Sequence, residues 1–159
     1  MGVLIWSDWA RLLALTSGLY IAWAGLWGIF YRKFFWDFAG GELGPAGIVP
    51  GPNVAFFEKI TVAAPVLQIL NIVNGLFTLA LEWPVHPFPG TVLHGSHAFR
   101  LVFYLWCSFL AVLVYQTVDA AVFYLVALFA YARSLSKGEK ITTPWASSVG
   151  SSRIATSGM

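Results

Sequence analysis

Charge is scarce in this chain, and cysteine is scarcer. Only 10% of the residues are charged while 58% are hydrophobic, and a soluble domain carries about a quarter charged residues. That imbalance excludes an ordinary water-soluble domain. The one cysteine, Cys107, lies inside an apolar run. It leaves no internal disulfide and no thiolate metal cluster, and it reads as core packing. The nine Lys and Arg residues fall near helix ends without a dense basic patch, which removes nucleic acid as a partner class. A length of 159 residues fits one domain with two loops and a tail outside the bilayer, and leaves no room for a soluble catalytic module.

Processing and targeting signals are also missing. Asp8, Trp6 and Trp9 stand where a secretory leader carries Lys or Arg, so no cleavage is predicted. Trp6 occupies the place where a myristoylation signal needs Ser or Thr. His86, His94 and His97 are the only histidines, and all fall between the second and third apolar runs. With no histidine inside a span, the chain alone cannot hold a transmembrane haem between two imidazoles. A zinc site in that loop is disfavoured, because its interior has no carboxylate and Pro87 and Pro89 interrupt it. No nucleophile with a neighbouring base is evident, and the glycines from Gly40 to Gly51 follow no strand that would make a phosphate loop.

Long apolar runs dominate what is present. Leu12 to Phe30 is uncharged, which as a helix spans roughly 28 Å, close to the hydrocarbon thickness of a bilayer. Trp6, Trp9, Trp27 and Tyr31 flank it as interfacial aromatics. Ile60 to Leu81 forms a second run, with Pro65 tolerated in its first turns. From Leu101 to Ala132 only Asp119 is charged, and a straight helix of that length, roughly 48 Å, is too long for one crossing. A hairpin turning at residues 116–119 fits better, with Asp119 capping the last helix. Arg133 then snorkels toward the headgroups.

The expectation is therefore an all-α integral membrane protein of four transmembrane helices, at about 12–31, 60–81, 101–117 and 119–135. They form one domain over residues 1–145, followed by a disordered polar tail at 146–159. The Gly- and Pro-rich middle of the long loop 32–59 predicts no regular structure there. Its aromatic flanks, Phe34, Phe35, Trp36 and Phe38 before it and Phe56 and Phe57 after it, are expected to lie flat in the interface. Arg11, Arg100, Arg133, Lys137, Lys140 and Arg153 fall on one side, against Arg32, Lys33 and Lys59 on the other. This asymmetry puts both termini in the cytosol.

Two helix faces stand out. Ala10, Ala14, Gly18 and Ala22, continued by Gly25, form a small-residue face on the first helix, which admits close approach of another helix from this chain or from a partner. Gln68, Asn71, Gly75, Thr78 and Glu82 make a polar or small stripe on the second, with Asn74 beside it. Such groups must find partners in hydrocarbon, and interhelical hydrogen bonding explains them better than a pore, because amides carry neither protons nor charge.

Three stretches carry a family resemblance. The first is Trp6, Trp9, Ala10, Ala14, Leu15, Ser17, Gly18 and Leu19. The second runs from Ile72 to the Leu81, Glu82, Trp83, Pro84 end of a span. The third runs from Arg100 through the hairpin to Gly138 and Glu139, with Thr143 and Pro144 following. Together they resemble the small, light-chain subunit of the phagocyte NADPH oxidase flavocytochrome, and more closely its fungal NoxD-type relatives.

The resemblance implies a non-catalytic membrane subunit that binds and stabilises a catalytic NADPH oxidase subunit and supports superoxide production. Haem, FAD and NADPH are expected on that partner, with no cofactor or metal in this chain. The host membrane is the endoplasmic reticulum, the plasma membrane or both. The partner face is expected to draw on Trp6, Trp9, Ala14, Gly18, Ala22, Gly25, Arg100 and Tyr104, and Gly138, Glu139, Thr143 and Pro144 to touch cytosolic regulators. The proline-rich tail of the animal subunit has no counterpart after Pro144, so recruitment through an SH3 domain is not implied. The rival readings are a small transporter or channel using the stripe of Gln68, Asn71, Asn74, Thr78 and Glu82, and a general membrane scaffold or chaperone.

Overall fold

The computed structural model describes residues 5–36, 38, 41–49, 51–83 and 96–139. Helix α1 covers Trp6–Phe30, beginning six residues before the predicted span. Strands β1 (Glu42–Gly44) and β2 (Gly47–Val49) follow, then α2 (Ala55–Glu58), which runs on as a π-helical turn over Lys59–Ala63. Helix α3 is Val66–Glu82 and α4 is His97–Leu113. A 3-10 turn, Tyr115–Thr117, leads into α5, Val118–Ser136. By length and composition α1 and the Tyr115–Ser136 unit are each able to cross a membrane, and the bent α2–α3 pair makes a third candidate. Helix α4, at 17 residues, is a shorter apolar helix.

Helix α1 packs along both α3 and α5, α4 packs along α5, and α3 meets α4 more lightly. The α1–α3 contact is the closest. Gly18 and Gly75 face each other, and a Cβ on Gly75 would stand 2.7 Å from the Gly18 carbonyl oxygen and 2.9 Å from the Ala22 nitrogen. Gly25 packs in the same way against Ile72 and the Gln68 carbonyl. The small-residue face of α1 is thus spent inside the chain. Alanines and tyrosines fill the α1–α4–α5 core, with Ala10, Ala14, Tyr104, Ala111, Ala120, Tyr124, Ala127 and Tyr131 all buried.

Pro65 breaks its helix, against the sequence expectation. It has no N–H for the Thr61 carbonyl, and it drives Ala64 to an extended conformation at φ −125° and ψ 129°. The two parts meet at 71°. The orphaned Thr61 carbonyl accepts from the Gln68 side-chain amide at 2.9 Å, and Arg32 donates from Nη1 toward the Val62 and Ala63 carbonyls at 3.4 and 3.5 Å.

The other turns also depart from expectation. Helix α4 stops at Leu113 because Val114 is extended and pairs with Phe34 as an antiparallel bridge. The Phe35 amide donates to Leu113 and the Tyr115 amide to Lys33. Phe34 therefore plugs into a cluster with Leu67, Leu110, Leu113 and Val114 and stacks on Phe57 at 5.8 Å; it does not lie flat at an interface. Trp36, Phe38 and Phe56 are exposed. The glycine-rich loop contains a two-stranded hairpin with Glu42 opposite Val49, where none was expected; Pro45 and Ala46 form its turn, and Gly47 at φ 124° opens the returning strand. Asp119 does not cap α5: Thr117 is the N-cap residue, without a side-chain bond. The tail at 146–159 lies outside the described residues.

Replacing Gly75 with Ala is expected to destabilise the bundle by about 1–3 kcal/mol, because backbone atoms of α1 cannot yield to the added methyl. Thermal denaturation of the detergent-solubilised chain measures this, and an unchanged midpoint would contradict the α1–α3 packing.

Candidate functional site: a buried ion pair at one end of the bundle

The start of α1, the end of α3, the start of α4 and the end of α5 meet at one end of the bundle, the proximal end. Their register follows from antiparallel packing of neighbours. Glu82, the last residue of α3, points inward and is 2% exposed, and Arg100 on the first turn of α4 is 1% exposed. Arg100 Nε sits 3.3 Å from Glu82 Oε1, off the line that a hydrogen bond requires. The contact is therefore ionic. The same oxygen accepts from the Tyr104 hydroxyl and, at 2.8 Å, from the Tyr131 hydroxyl. The Arg100 guanidinium lies 5.3 Å from the Tyr131 ring centre, a cation–π distance. Arg11 of α1 donates to the Glu82 carbonyl at 2.9 Å. A carboxylate taken out of water is costly unless paired and hydrogen-bonded, and here three side chains from two helices supply that compensation, with Arg11 on the backbone carbonyl beside it.

A second polar junction lies beside it. Gly138, at φ 68°, ends α5: its amide donates to the Leu135 carbonyl and that of Glu139 to Ser134. This is the Schellman pattern, which favours glycine at the left-handed position. The turn delivers Glu139 to the start of α1, where its carboxylate accepts from the Ser7 amide at 2.9 Å and the Trp6 amide at 3.4 Å. Ile5 offers no side-chain cap, so a residue from the far end of the chain caps α1. His97, the first residue of α4, places Nε2 3.0 Å from the Glu139 carbonyl. Arg133 and Lys137 lie 5.7 and 5.4 Å over the Trp6 ring.

Partial desolvation raises the Glu139 pKa, but the Ser7 and Trp6 amides outweigh it, and the net value falls below the ordinary 4.5. The Ser134 and Ser7 hydroxyls add to that lowering from nearby, without reaching hydrogen-bond geometry.

The donors of Asn71 and Thr78 in the α3 stripe also find partners within the chain, whereas Gln68 Oε1, Asn71 Oδ1 and Asn74 Nδ2 have none. Asn71 donates toward the Leu110 carbonyl at 3.4 Å and Thr117 Oγ1 at 3.2 Å, and Thr117 donates to the Ala111 carbonyl. These bonds serve the carbonyls freed where α4 ends. Thr78 shares a 2.8 Å hydrogen bond with the Tyr124 hydroxyl. Asn74 is half-buried at the edge of the stripe.

Of the residues expected at a partner surface, Ala14, Gly18, Ala22, Gly25, Arg100 and Tyr104 are buried inside the bundle, so their placement argues against that role. Trp6 is partly covered by Arg133 and Lys137, whereas Trp9 is exposed. Thr143, Pro144, His86 and His94 lie outside the described residues, and His97 belongs to a helix, not a loop. Sequence reasoning missed Tyr131, Arg11 and His97 as members of the cluster. The available signal was the spacing of Tyr124 and Tyr131, seven apart on one helix face, each with a hydroxyl that needs a partner. Among the described residues no group of three or more His, Cys, Asp or Glu is placed to hold a metal ion.

The model of the DUF7727 family, described as a domain of unknown function, matches residues 1–139. No curated protein and no solved structure matches the chain.

Replacing Glu82 or Arg100 singly with Leu is expected to cost about 3–5 kcal/mol, since each leaves a buried charge unpaired. The double replacement is expected to cost clearly less than the sum. Denaturation of the three variants forms the cycle, and strict additivity would rule out the coupling. For Glu139 the folded pKa is depressed, so its contribution is present above the unfolded value near 4.5 and is lost as pH falls through the folded value. Acidification is expected to release the Trp6 and Ser7 amides to hydrogen exchange, and Glu139→Gln to remove that pH dependence.

Proposed function

The chain belongs to the DUF7727 family, and we propose that it is a non-catalytic regulatory and stabilising membrane subunit of a superoxide-producing NADPH oxidase complex. On this reading all four long helices, α1, α3, α4 and α5, pass through the bilayer of the endoplasmic reticulum or plasma membrane, and the proximal end with both termini faces the cytosol. The observation that carries the reading is a convergence. Trp6, Glu82, Arg100 and Tyr104, and Gly138 and Glu139 come from the three separate stretches that resemble the small oxidase subunit, and they fall in two adjoining polar junctions at the proximal end. A likeness located in the residues that close a bundle concerns its framework and not isolated surface motifs.

Two features favour an accessory role. Gln68, Asn71, Thr78 and Glu82 each bond to groups within the chain, which weighs against transport along the α3 stripe. The outward faces are apolar, with Leu12, Leu19, Trp23, Leu26 and Phe30 exposed on α1, so a catalytic partner bearing haem and flavin would meet these faces and not the small-residue face.

Co-purification with a catalytic oxidase subunit is the expected result, with lower oxidase abundance and superoxide output when the chain is removed. Unchanged abundance and output after gene deletion would overturn the assignment.

A further inference from the structure

A groove of ≈ 500 Å³ runs between α1 and α5, lined by Thr16, Tyr20, Asp119, Val122 and Phe123. It continues along α1 past Leu19 and Trp23. Its walls are apolar except where Tyr20 donates to Asp119 Oδ2 at 3.3 Å. Asp119 lies in the first turn of α5 and is exposed, and among the described residues its carboxylate has no cationic partner within 4 Å. An ionisable group beside hydrocarbon is expensive and calls for a named partner.

We infer that this groove seats a membrane lipid with a primary ammonium headgroup, a phosphatidylethanolamine. Its ammonium hydrogen-bonds to Asp119, and one acyl chain lies along Leu19, Trp23 and Phe123. The choice of headgroup follows from charge. A sterol hydroxyl donates a hydrogen bond but leaves the carboxylate's charge uncompensated, whereas an ammonium does both. A choline headgroup carries the charge but has no N–H to donate. The inference rests on the bilayer setting and not on the oxidase partner, so either can fail alone.

The test uses the full chain reconstituted into vesicles of equimolar phosphatidylethanolamine, phosphatidylcholine and sterol, re-extracted in mild detergent, with retained lipid identified by native mass spectrometry. The expected result is retention of phosphatidylethanolamine over phosphatidylcholine by roughly fivefold. Asp119→Asn is expected to bring that ratio to the bulk value with helicity unchanged. Thr16→Phe, which fills the groove and keeps Asp119, is expected to do the same, and it decides the matter if the Asn variant does not fold. The inference is overturned by equal retention of the two phospholipids, by preferential retention of sterol, or by a preference that survives both variants. It is also overturned if the wild type retains no lipid and elutes as a dimer that Thr16→Phe dissociates, which would make the groove a contact between copies.

Discussion

One carboxylate oxygen holds the proximal end of this bundle together. Glu82 Oε1 draws in a guanidinium and a phenol from α4 and a second phenol from α5, while the carbonyl of the same residue takes Arg11 from α1. In a low-dielectric interior a lone carboxylate would be intolerable, so each of these groups is held to a narrow position. That constraint fixes the axial register of α1, α4 and α5 against the end of α3. The glycine contact between α1 and α3 then sets their spacing, because Gly18 and Gly75 leave no room for a Cβ. Register and spacing together bring Glu139 to the first amides of α1.

The remaining polar residues of α3 address a different constraint. Two breaks in the helical framework, at Pro65 and at Val114, orphan carbonyls that need donors from outside their own helix. Gln68 reaches back to Thr61 across the first break, and Asn71 with Thr117 serves Leu110 and Ala111 at the second. On a helical wheel the stripe looks like a path through the membrane, yet Gln68 and Asn71 serve the two breaks while Thr78 and Glu82 bond to tyrosines of neighbouring helices. Broken backbone in a membrane is tolerated where neighbouring side chains re-satisfy it, and here Gln68 and Asn71 of α3 share that task with Arg32 and Thr117.

The helical class and three of the four long helices' approximate positions were legible, because uncharged runs and flanking aromatics carry a strong signal. The need for interhelical partners on Gln68, Asn71 and Thr78 was legible too, from the cost of polar groups in lipid. What escaped was local and geometric. Pro65 in the first turn of a helix is ordinarily tolerated; here the chain arrives as a helix already, so the proline falls inside it and bends it. The Phe34–Val114 bridge joins residues eighty positions apart, and no periodicity reports such a pairing. Glu139 as a cap for α1 is likewise a contact across 132 residues. Gly138 was noticed only as part of a resemblance, although its left-handed conformation is the physical reason for glycine there.

The internal use of these groups bears on how any partner is bound. A chain whose buried charges and small-residue seam are spent on its own packing has little polar chemistry left to offer a partner along its apolar faces. What it presents is shape: Leu12, Leu19, Trp23, Leu26 and Phe30 on α1, Val102, Leu105, Trp106 and Phe109 on α4, and Val122, Leu125 and Phe129 on α5. Between such faces and lipid tails the hydrophobic effect discriminates poorly, so association depends on van der Waals fit. Fit in turn requires a rigid template. The buried ion pair, the repaired breaks and the Glu139 cap all act on that rigidity.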